Sequence, residues 1–222
     1  MSRNRIEWTR WLQNLSVCLI LACGAARGLA QVAPRPGDLE LAHSRVYMLV
    51  GATGLGHEHG VEGRLSSGHL DLGAQQNAGG LVFDMNSLTA ETAAARKYVG
   101  LAGETDASTR QQVNDNMRGA KVLDVANFPT AELVIDTATV QQPAQPGGPQ
   151  TVVLDGRFTL HGVPRKIRIP AEAEVVNGMI HIRGSCSILQ TQFGITPFTK
   201  LLGAVGVADQ VKIFGDLWLY YR

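Results

Sequence analysis

The sequence has little with which to cross-link itself. Its 222 residues include three cysteines, Cys18, Cys23 and Cys186, and none of them shows the paired spacing of a zinc ribbon or a redox motif. There is no run of the roughly 20 apolar residues that a membrane-spanning helix needs. Blocks of like charge and internal repeats are also missing, and aromatic residues make up only 6% of the chain. With a formal net charge of +1, nothing here seeks nucleic acid. Signatures of catalysis are absent too. "GSCSI" (184–188) offers Ser185 and Cys186 but lacks the final glycine and the strand-to-helix setting of a nucleophile elbow. "GLGHEHG" (54–60) lacks the lysine and the spacing of a phosphate loop. These residues do not describe an enzyme.

What is present is an ordinary globular composition, 45% hydrophobic and 18% charged, which excludes disorder and a coiled coil. The first thirty residues stand apart. Arg3, Arg5 and Arg10 precede the short apolar run "LSVCLILACGAA", and Gly28 and Ala30 follow at the small-residue spacing that signal peptidase accepts. The expectation is a secretory signal over 1–30, a mature chain from near Gln31, and a periplasmic location. Ile20, Leu21 and Ala22 before Cys23 are similar to a bacterial lipoprotein box, with leucine as a departure in the middle, so lipidation at Cys23 stays open. Cleavage after Ala30 removes four arginines and one glutamate and takes the formal charge from +1 to about −2. It also leaves Cys186 alone, so stability must come from a packed core.

From "SRVYMLV" (44–50) onward, apolar and polar residues alternate with the period of two that a half-buried strand requires. The alternation puts Leu81, Phe83 and Met85 on one face, and likewise Leu133 with Ile135, Phe158 with Leu160, Ile167 with Ile169, and Ile180 with Ile182. Turn chemistry at "SSG" (66–68), "NAGG" (77–80), "PAQPGGP" (143–149), "HGVP" (161–164) and "NG" (177–178) separates the strands. Regular short spacing favours a barrel or sandwich over a βαβ sheet. Two helices interrupt the pattern. Thr89 is the expected cap of the first, which Gly100 closes, and Ser108 with Gln111 forms a capping-box pattern for the second, which ends at Gly119. The second offers only Val113 and Met117 to a core, so both helices read as surface elements lying across one end of the strands.

Two stretches could carry chemistry. In "GHEHG" (56–60) His57 and His59 share a face if the segment is extended, as two ligands of one metal would. The remaining histidines are isolated, so the alternative to a metal site is a polar strand end at a barrel rim. Cys186 shares the parity of Ile182 and Ile188 and reads as an inert core thiol. In "TKLLGAVGVAD" (199–209), Leu201, Leu202, Val205 and Val207 either plug a barrel end or line an apolar site.

Several stretches together resemble the YceI-like family of secreted lipid- and polyisoprenoid-binding proteins. "HSRVYMLV … GVEG" is similar to its opening strands, with Val61 and Gly63 matching. "NDNMRGAKVLDVANFPTAEL" resembles its central signature at Val122 to Val125 and Phe128-Pro129. "LDGRFTLHGVPRKIRIP" resembles its hairpin at Gly156, Phe158, Thr159, His161, Gly162 and Val163, and "QTQFGI" with "ADQVKI" resembles its closing strands. Gln190 and Gln192 depart from the arginine and aspartate common there. The resemblance runs from about 40 to 222. It implies an all-β fold, a lipocalin-like antiparallel eight-stranded β-barrel with one or two short surface helices. It further implies non-catalytic binding, transport or storage of an isoprenoid or other long-chain lipid, with no other cofactor.

On that reading the inward apolar set is Val46, Met48, Leu81, Phe83, Met85, Leu133, Ile135, Phe158, Leu160, Ile182 and Ile188, with Phe193 and Leu201 added from the closing segment. His57 and His59 are the candidate head-group contacts. Two other classes stay open: a metal-binding protein or metal-dependent enzyme built on His57 and His59, and an envelope interaction module whose barrel is filled by its own side chains. Transient membrane contact and the oligomeric state are open as well.

Overall fold

The computed structural model describes residues 33–141 and 148–221. The expected signal segment with Cys23, and most of the Pro/Gly-rich 143–149 stretch, lie outside the described residues. Pro34–Arg222 forms a compact unit by its own contacts.

Its elements are β1 (Arg45–Gly54), β2 (His59–Leu70), β3 (Gly79–Ala90), α1 (Ala93–Tyr98), α2 (Ala107–Arg118), β4 (Thr130–Gln141), β5 (Gln150–Leu160), β6 (Val163–Val176), β7 (Met179–Leu189), β8 (Thr199–Lys200) and β9 (Val205–Tyr220). Every strand pairs antiparallel with its neighbour, and β9 pairs with both β7 and β1, from Arg45↔Asp216 to Gly54↔Val205. That last pairing closes eight long strands into a barrel and leaves β8 as a two-residue annex on β9. Closure removes the unpaired edges an open sheet would present.

The expected alternation sorts the side chains. Along β6, Ile167, Ile169, Ala171 and Ala173 point inward, while Arg165, Lys166, Arg168 and Glu172 are exposed. A polar outside around an apolar inside is the reverse of a membrane-spanning barrel. Among the described residues no helix is long and apolar enough to cross a membrane.

Local chemistry differs from expectation at three places. "SSG" is not a turn. It lies inside β2, where the register against β3 slips between Leu65 and Ser67, so Ser66 and Ser67 both face out and the inward parity changes from Leu65 to Leu70. This is a bulge, which adds one residue and bends the strand. Thr89 belongs to β3, and α1 is capped by Thr92, whose hydroxyl accepts the Ala95 N–H at 3.0 Å. Asp106, not Ser108, caps α2 by accepting the N–H groups of Ser108 and Thr109, because its carboxylate sits one residue before the first helical residue and reaches two orphan donors. The hairpin turns are as expected: His161-Gly162 and Asn177-Gly178 each hold two successive positive φ values, the requirement of a type I′ turn.

Gly156 occupies a place no other residue fits. A Cβ there would lie 2.1 Å from the Val134 carbonyl oxygen of the adjacent strand. Gly156→Ala is expected to destabilise the barrel by about 1–3 kcal/mol, seen as a lower urea midpoint at unchanged slope.

Candidate functional site

The two halves of the barrel differ along its axis. At the end carrying the 71–78 and 177–178 connections, Leu70, Ile135, Ile182 and Leu219 fill the interior, none more than 2% exposed. At the other end small inward residues, among them Val50, Val61, Ala90, Ala131 and Val207, stand between larger ones and leave a cavity of about 210 Å³. Val113, Asn116 and Met117 of α2, with Val122 and Leu123 after it, roof one side. Ile195 and Phe198, from the segment after β7, close the other.

Val46, Met48, Phe83, Met85, Leu133, Phe158, Leu160 and Ile188 of the expected inward set line this cavity. Leu81, Ile135 and Ile182 are buried in the interior but lie outside the lining. Phe193 is also outside it, 2% exposed, with its ring edge-on to Phe158 at 5.7 Å between centroids. Leu201 is a correction: it is 76% exposed and neither plugs the barrel nor lines the site. Leu201 and Leu202 both take positive φ, 50° and 56°, so the chain reverses there and carries both side chains outward. Such a conformation costs about 1–2 kcal/mol per non-glycine residue.

Among the lining residues, the hydrogen-bonding side chains besides the Cys186 thiol are His59, Asn116 and Gln190. Burial pushes the Cys186 thiol up to about 11, so it stays protonated and unreactive at neutral pH. Gln190 shares the inward parity of Cys186 and Ile188, a signal already present in the sequence, and donates to the Ala208 carbonyl at 2.8 Å.

His59 opens β2 and belongs to a network that sequence reasoning missed. Its centre is Glu91, at the end of β3 with φ of 64° and a fully buried side chain. One carboxylate oxygen accepts from His59 Nδ1 and from the Gly60 N–H, both at 3.2 Å. The other accepts from the Arg96 guanidinium of α1 and from the Thr105 hydroxyl in the α1–α2 connection. Burial pulls the Glu91 carboxyl upward, but the Thr105 and Arg96 hydrogen bonds and the nearby charges outweigh it and leave it below the usual 4.5. Burial likewise lowers His59 below 6.5, opposed only in part by Glu91.

The tautomer follows. An ionised carboxylate only accepts, so Nδ1 carries the imidazole proton and Nε2 is left with a lone pair. Arg96 already balances Glu91, so a second positive charge on His59 would go uncompensated. A neutral imidazole thus joins the Asn116 and Gln190 carboxamides in the wall of a mainly apolar cavity. His57 is exposed, its ring centroid 4.5 Å from that of His59. A metal held by the pair needs a third ligand, and no group of three suitable side chains lies together among the described residues.

Asn114 of α2 is the second tether of the helical roof. Its carboxamide accepts the Ala90 N–H at 2.8 Å and donates to the Arg110 carbonyl at 2.8 Å. No motif marks Glu91 or Asn114, because their partners are spread over several elements and are backbone atoms in part.

Both His59 and Glu91 titrate lower in the folded chain than in the unfolded one. Their stabilisation is therefore complete above about pH 6.5 and is lost on acidification, first through His59 and, below 4.5, through Glu91. A melting temperature that falls across this range, and falls less steeply below 4.5 in Glu91→Gln, is the expected outcome of thermal scans at stepped pH. Asn114→Leu is expected to lose about 1–3 kcal/mol, with faster amide exchange in α2 than in β5.

Residues 38–217 match the family model described as YceI-like domain. Among solved structures, a polyisoprenoid binding domain from Saccharophagus degradans, implicated in plant cell wall breakdown, superimposes with a TM-score of 0.57 at 14% identity, covering 85% of this chain and 100% of its own. Burkholderia cenocepacia BcnA does so with a TM-score of 0.54 at 17% identity, covering 82% of this chain and 99% of its own. At these identities the likeness is one of fold. No curated protein matches the chain.

Proposed function

The chain belongs to the YceI-like family, and on that premise we propose that it is a non-catalytic carrier or store for an isoprenoid or other long-chain lipid. We place it in the periplasm, reached through the segment at 1–30. The observation that carries the reading is the apolar cavity of about 210 Å³ at one end of the barrel, whose wall carries the imidazole of His59 and the carboxamides of Asn116 and Gln190. The Saccharophagus degradans neighbour, described as a polyisoprenoid binding domain, supports the same class of cargo.

The volume limits how the cargo sits. Sites for drug-sized ligands run from roughly 300 to 1,000 Å³, so the space takes the end of a chain and the remainder must displace wall. Met48, Met85 and Met117 supply that give, since unbranched thioethers change rotamer at little cost. Each buried methylene contributes about 0.8 kcal/mol, so affinity grows with the length of tail accepted. His59 Nε2, as an acceptor, favours a terminus that donates, such as an alcohol or phenol, over its ether.

Organic extraction of natively purified protein followed by mass spectrometry is the direct test. One isoprenoid or long-chain lipid near one equivalent is the expected result; no extractable lipid, together with no uptake of added isoprenoid, would sink the proposal. Ala131→Phe, which fills the cavity from β4, is expected to weaken binding about tenfold or more without lowering the melting temperature. Wild-type protein should bind geranylgeraniol several-fold more tightly than its methyl ether, and His59→Phe should erase that difference.

A further inference from the structure

The cavity end of the barrel carries an apolar tip. Leu55, Leu201 and Leu202 are 85%, 76% and 109% exposed. They come from two turns that are bound together: the Leu55 N–H donates to the Ala204 carbonyl at 2.9 Å, and Gly54 pairs with Val205 where β1 meets β9. Leu201 and Leu202 are held outward by consecutive left-handed conformations, with Gly203 continuing the turn at φ 93°. Lys200 precedes them, its ammonium 5.7 Å from the centre of the Phe198 ring. Phe198 lines the cavity, as does Val207, whose N–H donates to the Phe198 carbonyl at 3.0 Å. The exposed leucines are therefore continuous with the cavity wall.

We propose that this tip docks on the surface of a membrane containing anionic phospholipid. Leu55, Leu201 and Leu202 enter the boundary between head groups and acyl chains, and Lys200 stays level with the phosphates, as at other interfacial contacts. A second copy of the chain is a poorer occupant. Stable protein interfaces engage roughly 20–30 residues a side, and three leucines with one lysine fall far short. The exposed Glu58 in the same β1–β2 turn offsets part of the Lys200 charge, so the association is weak and reversible. Docking stands on the surface alone; that it serves to load or unload the cavity rests on the proposed function.

The test uses residues 34–222, flotation with vesicles of phosphatidylethanolamine and phosphatidylglycerol, and the variant Leu201→Asn with Leu202→Asn. Asparagine tolerates positive φ, so the variant should melt no lower than wild type. Wild type is expected to float with the vesicles, and the variant to do so about tenfold or more weakly, while both bind geranylgeraniol in solution equally. Equal flotation of the two proteins, or none by wild type, would overturn the proposal. So would wild-type self-association that the variant loses without any change in flotation. Flotation that depends on the leucines, in protein that binds no isoprenoid, would leave the docking tip standing and remove the carrier reading instead.

Discussion

The backbone pairing of β1 with β9 is the contact on which the rest of the molecule depends. It joins strands from the two ends of the barrel domain and turns an eight-strand meander into a closed surface with an inside. Only after closure do Val46 and Met48 of β1 face Leu133 and Phe158 across an interior. An open sheet of the same strands would expose that apolar face and two hydrogen-bonding edges. The glycines on this seam serve it: Gly215 opposes Val46, and Gly54 sits at positive φ where the two strands end.

Closure creates an interior larger than the side chains at one end can fill. The packed half supplies rigidity, with Ile135, Ile182 and Leu219 interlocked over the 177–178 hairpin end. The other half keeps an open space between large side chains such as Phe83 and Phe158 and small ones such as Ala90 and Ala131, and is roofed by short helices with little apolar surface of their own. Those helices are held by packing, Tyr98 of α1 stacking on Tyr47 and Val113 and Met117 of α2 resting on the core, and by polar tethers. Glu91 gathers donors from β2, α1 and the α1–α2 connection, and Asn114 hydrogen-bonds to Ala90 at the end of β3. Hydrogen bonds to a buried carboxylate depend on its protonation, whereas apolar packing does not. The two halves therefore respond differently to acid, although they share the same strands.

The same division bears on cargo. A barrel filled throughout would be a structural module, and one hollow throughout would be a pipe. This one is half of each, so a bound chain meets a floor of core side chains and a helical roof. His59 couples the two layers, since its Nδ1 is part of the roof tether and the residue also lines the cavity. The cavity wall thus shares a residue with the network that holds α1 in place.

The sequence by itself determined the all-β class, the inward face of β1 and of β3 to β7 and the two hairpin turns at His161-Gly162 and Asn177-Gly178. Period-two alternation and adjacent turn residues are local signals that survive any tertiary context. Alternation also placed eight of the thirteen expected lining residues on the cavity, and could have placed Gln190. It failed where the chain leaves that regime: bulges change parity within a strand, as at Ser66-Ser67, and left-handed residues turn apolar side chains away, as at Leu201. Which inward residues face open space and which are packed was decided by tertiary structure alone, because that depends on the sizes of side chains brought together from different strands. The same is true of Glu91 and Asn114. Their partners lie on other elements or on the backbone itself, and no pattern along the chain records them.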